Sequence, residues 1–321
     1  MRVAVTGAGG FIGTELTRTL LRDGRLIDFH GREKSIEQLL LVDTHLPPQS
    51  DPRIVPLRQD LSEADATCAV AAWKPDSVFH LAAVLTTAAE RDPARALSVN
   101  VSALAQLIEA LGGMQTPSRL IFPSSIAVFG GSLPDIVDDD LAQRPQTSYG
   151  THKAIAELML ADATRHGLID GRALRLPIVL VHPGPPTQSV SDRIAGIVRD
   201  AVAGRDVIVP LRQDTRVPVA SVQTVATSLI ALHNATRSTL GGLTAINLPA
   251  LTVSMADTVA ALRQITGEAG RIQFSPQPEL ETIVASWPKG FVSNHAHRIG
   301  IVPDANFTRI VAHYIAGLKN V

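Results

Sequence analysis

The run "TSYGTHKAIAE" sets Tyr149 and Lys153 four residues apart in a chain with two tyrosines, Tyr149 and Tyr314. On a helix, positions i and i+4 share a face, so a phenol and an ammonium there look the same way. A phenol titrates at about pH 10 and is a poor base near neutrality, and a close cation favours its phenolate. Such a pair could exchange a proton with a substrate hydroxyl. A surface tyrosine opening an amphipathic helix is the alternative, and the surroundings decide between them. "PSSIAVFGG" (123–131) ends an apolar run upstream. At the carboxyl edge of a parallel sheet it would put Ser124 and Ser125 in the same cleft as the Tyr–Lys pair. Ser125 would then hold the hydroxyl or carbonyl on which Tyr149 acts.

A second constellation opens the chain. "TGAGGFIG" (6–13) follows an apolar run and starts a helical pattern, with Gly7, Gly10 and Gly13 spaced and Gly9 extra. One glycine permits the tight turn, one lets backbone approach a pyrophosphate, and one lets helix and strand pack closely. The helix N-terminus adds free N–H groups and partial positive charge. Strand, turn and helix together read as a dinucleotide site.

Asp43 ends the run "LLLVD", where a carboxylate accepts from an adenosine ribose and repels a 2′-phosphate, so NAD is expected over NADP. The gap from Gly13 to Asp43 exceeds the usual spacing of about 20 residues, and "RLIDFHGREKSIEQ" (25–38) reads as an insertion that accounts for it. Asp60 could meet the adenine edge or cap the next helix. Ala82 and Ala83 are small enough for backbone to lie against a cofactor, and Asn100 reads as a buried structural amide. Thr86 and Thr87 could bond substrate hydroxyls, and His182 could border the nicotinamide carboxamide. His295 and His297 alternate with no third ligand, so no metal is expected.

These groups need a scaffold. Apolar, β-prone runs at 2–6, 39–43, 53–58, 77–82, 119–124 and 172–177 alternate with helical periods at 11–22, 62–73, 93–112 and 149–167. Near-continuous apolar strands linked by helices predict an α/β fold with a doubly wound parallel sheet. Beyond about 180 the texture changes to helices at 190–203, 222–235, 253–267 and 304–318 separated by long connections. The expected division is a Rossmann-type domain over 1–180, with a segment near 215–250 returning to it through a strand at 244–249, and a smaller C-terminal substrate-binding lobe over 181–321.

With 45% hydrophobic residues, net charge −1 and an isoelectric point near 6.8, the chain has a substantial core and no basic field for nucleic acid. Cys68, the single cysteine, reads as a buried inert thiol, which suits a reducing cytoplasm. No secretion signal or membrane-length apolar run is found, so a cytoplasmic enzyme with no membrane partner is expected.

"TGAGGFIG", "HLAA", "SSIAVFG" and "YGTHK", in this order, resemble the extended short-chain dehydrogenase/reductase superfamily, the NAD-dependent epimerase/dehydratase family, over essentially the whole chain. The resemblance implies Ser125, Tyr149 and Lys153 as the catalytic set. It implies a cofactor site of Gly7, Gly10, Phe11, Ile12, Gly13, Asp43, Asp60, Leu61, Ala82, Ala83, Asn100, Tyr149, Lys153 and Pro177. Within the superfamily, Phe129 stands where the nucleotide-sugar branch carries a tyrosine, and "DTRVPVASVQTVA" keeps Arg216 but has Gln223 or Thr224 for the acid. "PQTSYGTHKAIAELML", "DGRALRLPIVLVHPG" and "SWPKGF" are similar to the D-erythronate dehydrogenases of bacterial sugar-acid catabolism, with His152 where glutamine is expected.

That similarity implies oxidation at C2 of a four-carbon sugar acid, with Ser125, Thr86, Tyr149 and Arg216 on the substrate. A carboxylate beside the reacting carbon asks for a cation to orient it, and Arg193 and Arg199 are alternatives to Arg216. A nucleotide-sugar 4-epimerase and a non-catalytic NAD-binding regulator are the competing readings. A homodimer is expected through helices 93–112 and 149–167, whose Leu104, Leu107, Ile108, Ile155, Leu158 and Met159 exceed one sheet-facing stripe.

Overall fold

A computed structural model describes residues 1–63, 65–181, 190–267 and 271–318. Its centre is a seven-stranded sheet of β1 (Arg2–Thr6), β2 (Gln38–Asp43), β3 (Ile54–Arg58), β4 (Ser77–His80), β5 (Ser118–Ser125), β6 (Ile169–Leu176) and β7 (Ala245–Asn247). The spatial order is β7-β6-β5-β4-β1-β2-β3, and every neighbouring pair is parallel. The chain winds outward from β1 to β3, returns, and winds the other way from β4. The switch point lies between β1 and β4, and a crevice opens there at the carboxyl ends.

Period-2 alternation assigns the strand residues to two cores. Val3, Val5, Phe79, Ile121 and Leu174 face one side, where they meet Leu16 and Leu20 of α1 (Phe11–Asp23) and Leu229 of the helix Val222–Asn234. Ala4, Val78, Leu120, Phe122 and Ala173 face the other, against Leu104 and Leu107 of α2 (Ala103–Leu111) and Leu160 of α3 (Ser148–Arg165). Side chains alternating on a strand require such helical cover on both faces of a buried sheet. A third core joins Ile178, Leu180, Val217, Val219 and Val253 of a smaller sheet (178–180, 216–221 and 251–254) to α4 (Val190–Val202), α5 (Met255–Thr266) and α6 (Phe307–Leu318).

The first strand expectations hold to within a few residues. The strand expected over 77–82 stops at His80, and the one expected over 172–177 begins at Ile169. The segment 93–112 is not one α-helix: Pro93–Leu97 is followed by a wider π turn over Ser98–Ser102 and then by α2. Residues 25–38 fold into a hairpin pairing Arg25–Ile27 with Glu33–Ser35, between α1 and β2, which supplies the extra length before Asp43.

Two expectations are corrected. Cys68 is exposed, because its helix (Ala66–Ala72) buries Ala66, Thr67 and Val70. Leu104, Leu107 and Ile108 are buried within their own chain and are not available to a partner, whereas Leu158 is 68% exposed. No helix among the described residues is long and apolar enough to cross a membrane.

Below the sheet, Asp170 accepts from Arg119 Nε at 2.8 Å, Arg172 Nη2 at 2.8 Å and Arg237 Nη1 at 3.1 Å. Arg172 Nη1 also donates to the carbonyls of Leu232, His233 and Ala235, the otherwise orphaned end of the helix Val222–Asn234. Burial pushes the Asp170 carboxyl up, but the two flanking guanidiniums of Arg172 and Arg119 prevail and hold it at about 2. A depressed carboxyl stabilises the fold above its ordinary range, and that contribution is lost as pH falls through about 2. Arg172→Ala is therefore expected to lower the unfolding free energy by about 3–5 kcal/mol in urea denaturation.

Candidate active site

The glycine turn is built by close contact. Gly7 sits at φ 69°, and a Cβ there would come 2.6 Å from the Ala82 nitrogen. A Cβ on Gly13 would come 2.1 Å from the Gly7 carbonyl oxygen. The turn thus wedges α1 against the ends of β1 and β4. Gly10 supplies the N-cap with no side-chain bond, and the first turn of α1 has no acidic residue. This end of the helix suits a pyrophosphate.

Asp43 accepts from the Gly9 amide at 3.0 Å through Oδ2 and from the His45 amide at 3.1 Å through Oδ1. It therefore shapes the glycine loop itself. A carboxylate has about four lone-pair sites, so it keeps capacity for a ribose hydroxyl.

The other expected cofactor residues divide. Ala82 and Ala83 lie at the end of β4, half-buried, with the Ala82 amide 3.4 Å from Thr6 Oγ1. Asn100 is buried on the π turn and clamps the backbone of Val84, accepting its amide at 2.8 Å and donating to its carbonyl at 2.9 Å. The Asp60 carboxylate caps Ser62 and pairs with Arg95 at 3.1 Å. Leu61 and Pro177 are buried, Phe11 and Ile12 half-buried. His182 lies outside the described residues.

At the chemical end, Ser125 closes β5 in extended backbone and accepts from the Ala127 amide at 3.1 Å. Tyr149 is the second residue of α3, whose N-cap Thr147 accepts from the Gly150 amide at 3.0 Å. Gly150 is required because a Cβ would come 2.1 Å from the Ala127 carbonyl oxygen. Only a bare α-carbon lets the helix start lie directly on the turn after Ser125. Ser125 lies near enough to Tyr149 to act on its phenol. Lys153 Nζ donates to the Pro123 carbonyl at 2.7 Å, and lies 4.1 Å over the Phe122 ring and 5.5 Å from the Tyr149 ring centroid. Ser125, Tyr149 and Lys153 are thus brought together.

Their charges differ from expectation. Burial pushes the Tyr149 phenol up to about 12, against which Ser125 pulls it down, and Lys153 is not among its causes. Burial lowers Lys153 to about 7, opposed by the charge of Glu157. The protein groups by themselves do not make a phenolate.

Ser124 does not face the cleft with Ser125. Successive strand residues point to opposite faces, and Ser124 donates at 2.5 Å to the buried Glu157. Thr86 starts the short helix Thr86–Arg91 after β4, whose Glu90 accepts from the Ser148 amide at 2.8 Å. Arg216 is exposed on the small sheet and lines a cavity of about 570 Å³ with Gln213, Asp214, Thr252, Ser254 and Asp257. Arg199 is buried against Asp192, and Arg193 donates to Gln277 at 3.0 Å. A carboxylate does reach the segment where Gln223 or Thr224 replaced one: Asp304 accepts from the Ser221 amide and hydroxyl and from Thr224, each at 2.8 Å. Sequence reading passed over Glu157, Glu90 and Asp304. Glu157 alone left a signal, four residues past Lys153.

Residues 3–243 match the NAD dependent epimerase/dehydratase family. The chain is 36% identical to D-erythronate dehydrogenase of Cupriavidus necator, covering 99% of each, and 32% identical to that of Haemophilus influenzae, covering 98% of this chain and 99% of the other. Among solved structures, a nucleoside-diphosphate-sugar epimerase from Agrobacterium tumefaciens superposes with a TM-score of 0.90 at 30% identity, covering 98% of this chain and 94% of the other. An L-threonine dehydrogenase from Cupriavidus necator shares the fold at TM-score 0.85 and 23% identity, covering 99% of this chain and all of that one.

Gly150→Ala is expected to reduce turnover about 100-fold by lifting α3 off the Ala127 carbonyl. Circular dichroism checks that the chain stays folded, and an undiminished rate would show that this approach is not needed.

Proposed function

The chain belongs to the NAD dependent epimerase/dehydratase family, and from that premise we propose that it oxidises the C2 hydroxyl of D-erythronate, or of a close four-carbon sugar acid, to the 2-oxo acid. Its cofactor is NAD. The observation that carries the reading is full-length similarity to two D-erythronate dehydrogenases, at 36% and 32% identity. The convergence of Ser125, Tyr149 and Lys153 supports it.

In this reading the glycine turn and the start of α1 hold the pyrophosphate, Asp43 the adenosine ribose and Lys153 the nicotinamide ribose. When bound, NAD⁺ supplies the hydride acceptor and a positively charged ring. Ser125 holds the C2 hydroxyl, and Tyr149 takes its proton as the C2 hydride leaves. Closing a hydroxyl, a phenol and a donor into one geometry is worth more than the basicity of any one of them. Thr86, on the helix beside the cleft, would contact a further substrate hydroxyl.

The carboxylate falls to Arg216, which is exposed, whereas Arg199 is committed to Asp192. Arg216→Ala is expected to raise KM for the acid by about tenfold or more, with KM for NAD⁺ unchanged in the same assay.

The epimerase alternative draws on the neighbour with TM-score 0.90 at 30% identity. The two readings separate in a panel of C4 and C5 aldonates and UDP-sugars. Steady NADH formation with free acids and none with UDP-sugars is expected, and the converse would replace this reading. Tyr149→Phe is expected to lower kcat/KM by about 10³-fold or more while leaving NAD⁺ affinity within a few-fold by calorimetry. Because burial holds the phenol high, its deprotonated fraction grows with pH. NADH formation should climb between about pH 6 and about pH 9, and a flat profile would exclude this proton route.

A further inference from the structure

Glu157 has no part in the scheme so far, yet it joins α3 to β5, to β6 and to the segment before α3. It sits one helical turn beyond Lys153 on α3 and is buried. Ser124, the neighbour of Ser125 on β5, donates to its Oε1 at 2.5 Å. From β6, Arg175 donates to its Oε2 through Nη2 at 2.9 Å and through Nε at 3.1 Å to both oxygens. Gln143, from the segment before α3, donates to Oε2 at 2.5 Å. Arg175 is itself held by the Asp139 carbonyl at 3.0 Å and by the Asn247 side chain at 3.3 Å on β7.

We propose that Glu157 is the positioning residue of this centre. It ties the strand end that carries Ser125 to the helix that carries Tyr149 and Lys153, and its negative charge keeps Lys153 an ammonium in a site with little water. The inference deepens the dehydrogenase reading and rests on it for the roles of Ser125, Tyr149 and Lys153.

The two halves have separate physical grounds. Ser125 points into the cleft and Ser124 away from it, so a bond that fixes Ser124 fixes the register of Ser125 from behind. A buried lysine tends to lose its proton, and a carboxylate one turn away opposes that loss. Among the described residues, the charged and titratable groups that act on Lys153 or on which it acts are Tyr149 and Glu157 on its own helix and His80 at the end of β4. His80 is itself buried, and burial with the charge of Lys153 keeps it neutral. Around Glu157 stand Arg175, Ser124 and Gln143. Arg175 offsets part of the charge of Glu157 and stops a buried carboxylate from standing alone.

The test uses the whole chain and two variants that divide the roles. Glu157→Gln keeps the shape and the acceptor for Ser124 but removes the charge; Ser124→Ala removes the bond and keeps the charge. The first readout is the Lys153 Nζ titration by ¹⁵N NMR, tractable because the chain has five lysines and assigned by Lys153→Arg. It needs no substrate, so it stands even if the sugar-acid reading fails in the substrate panel.

Glu157→Gln is expected to move the Lys153 midpoint down by about one unit, and the pH profile of kcat/KM with it. Ser124→Ala is expected to leave that midpoint in place and lower kcat about tenfold with KM for NAD⁺ unchanged. If Glu157→Gln alone does not fold, the pair Glu157→Gln with Arg175→Met, which leaves no unpaired charge, is expected to show a smaller shift in the same direction, because the offsetting cation is lost as well. An unmoved Lys153 midpoint in whichever of these folds would overturn the electrostatic half, and wild-type kcat in Ser124→Ala the positional half.

Discussion

An ammonium almost wholly withdrawn from water stands at the middle of this cleft, and its neighbours are arranged around that fact. Lys153 is 4% exposed. An uncompensated charge there would cost several kcal/mol. One donor goes to the Pro123 carbonyl, the charge lies over the Phe122 ring, and the Glu157 carboxylate follows one turn along the helix. Burial acts on both members of the Tyr–Lys pair in the same sense, toward the uncharged form: the phenol goes up and the ammonium comes down. The two shifts have separate local partners, Ser125 for the phenol and Glu157 for the ammonium. A further positive charge in the cleft favours the phenolate and opposes the ammonium.

The same economy of distance governs the backbone. Gly150 lies against the Ala127 carbonyl, and Gly7 and Gly13 lie against backbone of their own turn and of β4. These contacts replace side chains with direct backbone approach where a strand end meets a helix start. One brings the helix of Tyr149 to the strand of Ser125, and the others bring α1 to the switch point between β1 and β4. The spacing between the glycine turn and Tyr149 is thus set by main-chain packing, which moves less than side chains do.

What was legible in the sequence follows from this. Near-continuous apolar runs locate the seven strands and period-3.6 patterns their helices, because burial on both faces of the sheet leaves few polar residues in the strands. The glycines announce close approach by their identity. Other features leave no local mark. Ser124 and Ser125 look equivalent as letters, and only the alternation of a strand sends one to Glu157 and the other to the cleft. The apolar surplus of α2 looks like an interface until the π turn before it and the packing of Leu104 and Leu107 under the sheet account for it. Cys68 sits in an alanine-rich run that is buried on one side only. Partners distant in sequence, such as Asp304 at Ser221 or Arg175 at Glu157, belong to tertiary structure alone.

Asp304 also bears on how substrate class should be argued within such a family. The motif after Arg216 has Gln223 or Thr224 in place of an acid. In the fold a carboxylate reaches the helix start at Ser221 and Thr224 from 83 and 80 residues away, so the missing letter does not mean a missing charge. Phe129 is a firmer difference. Its ring is buried in the core of the small lobe, edge-on to Phe291 at 6.0 Å and 5.2 Å from the Arg175 guanidinium. A hydroxyl on such a ring would need a partner inside an apolar cluster. The branch difference therefore reaches into packing next to the Glu157–Arg175 pair.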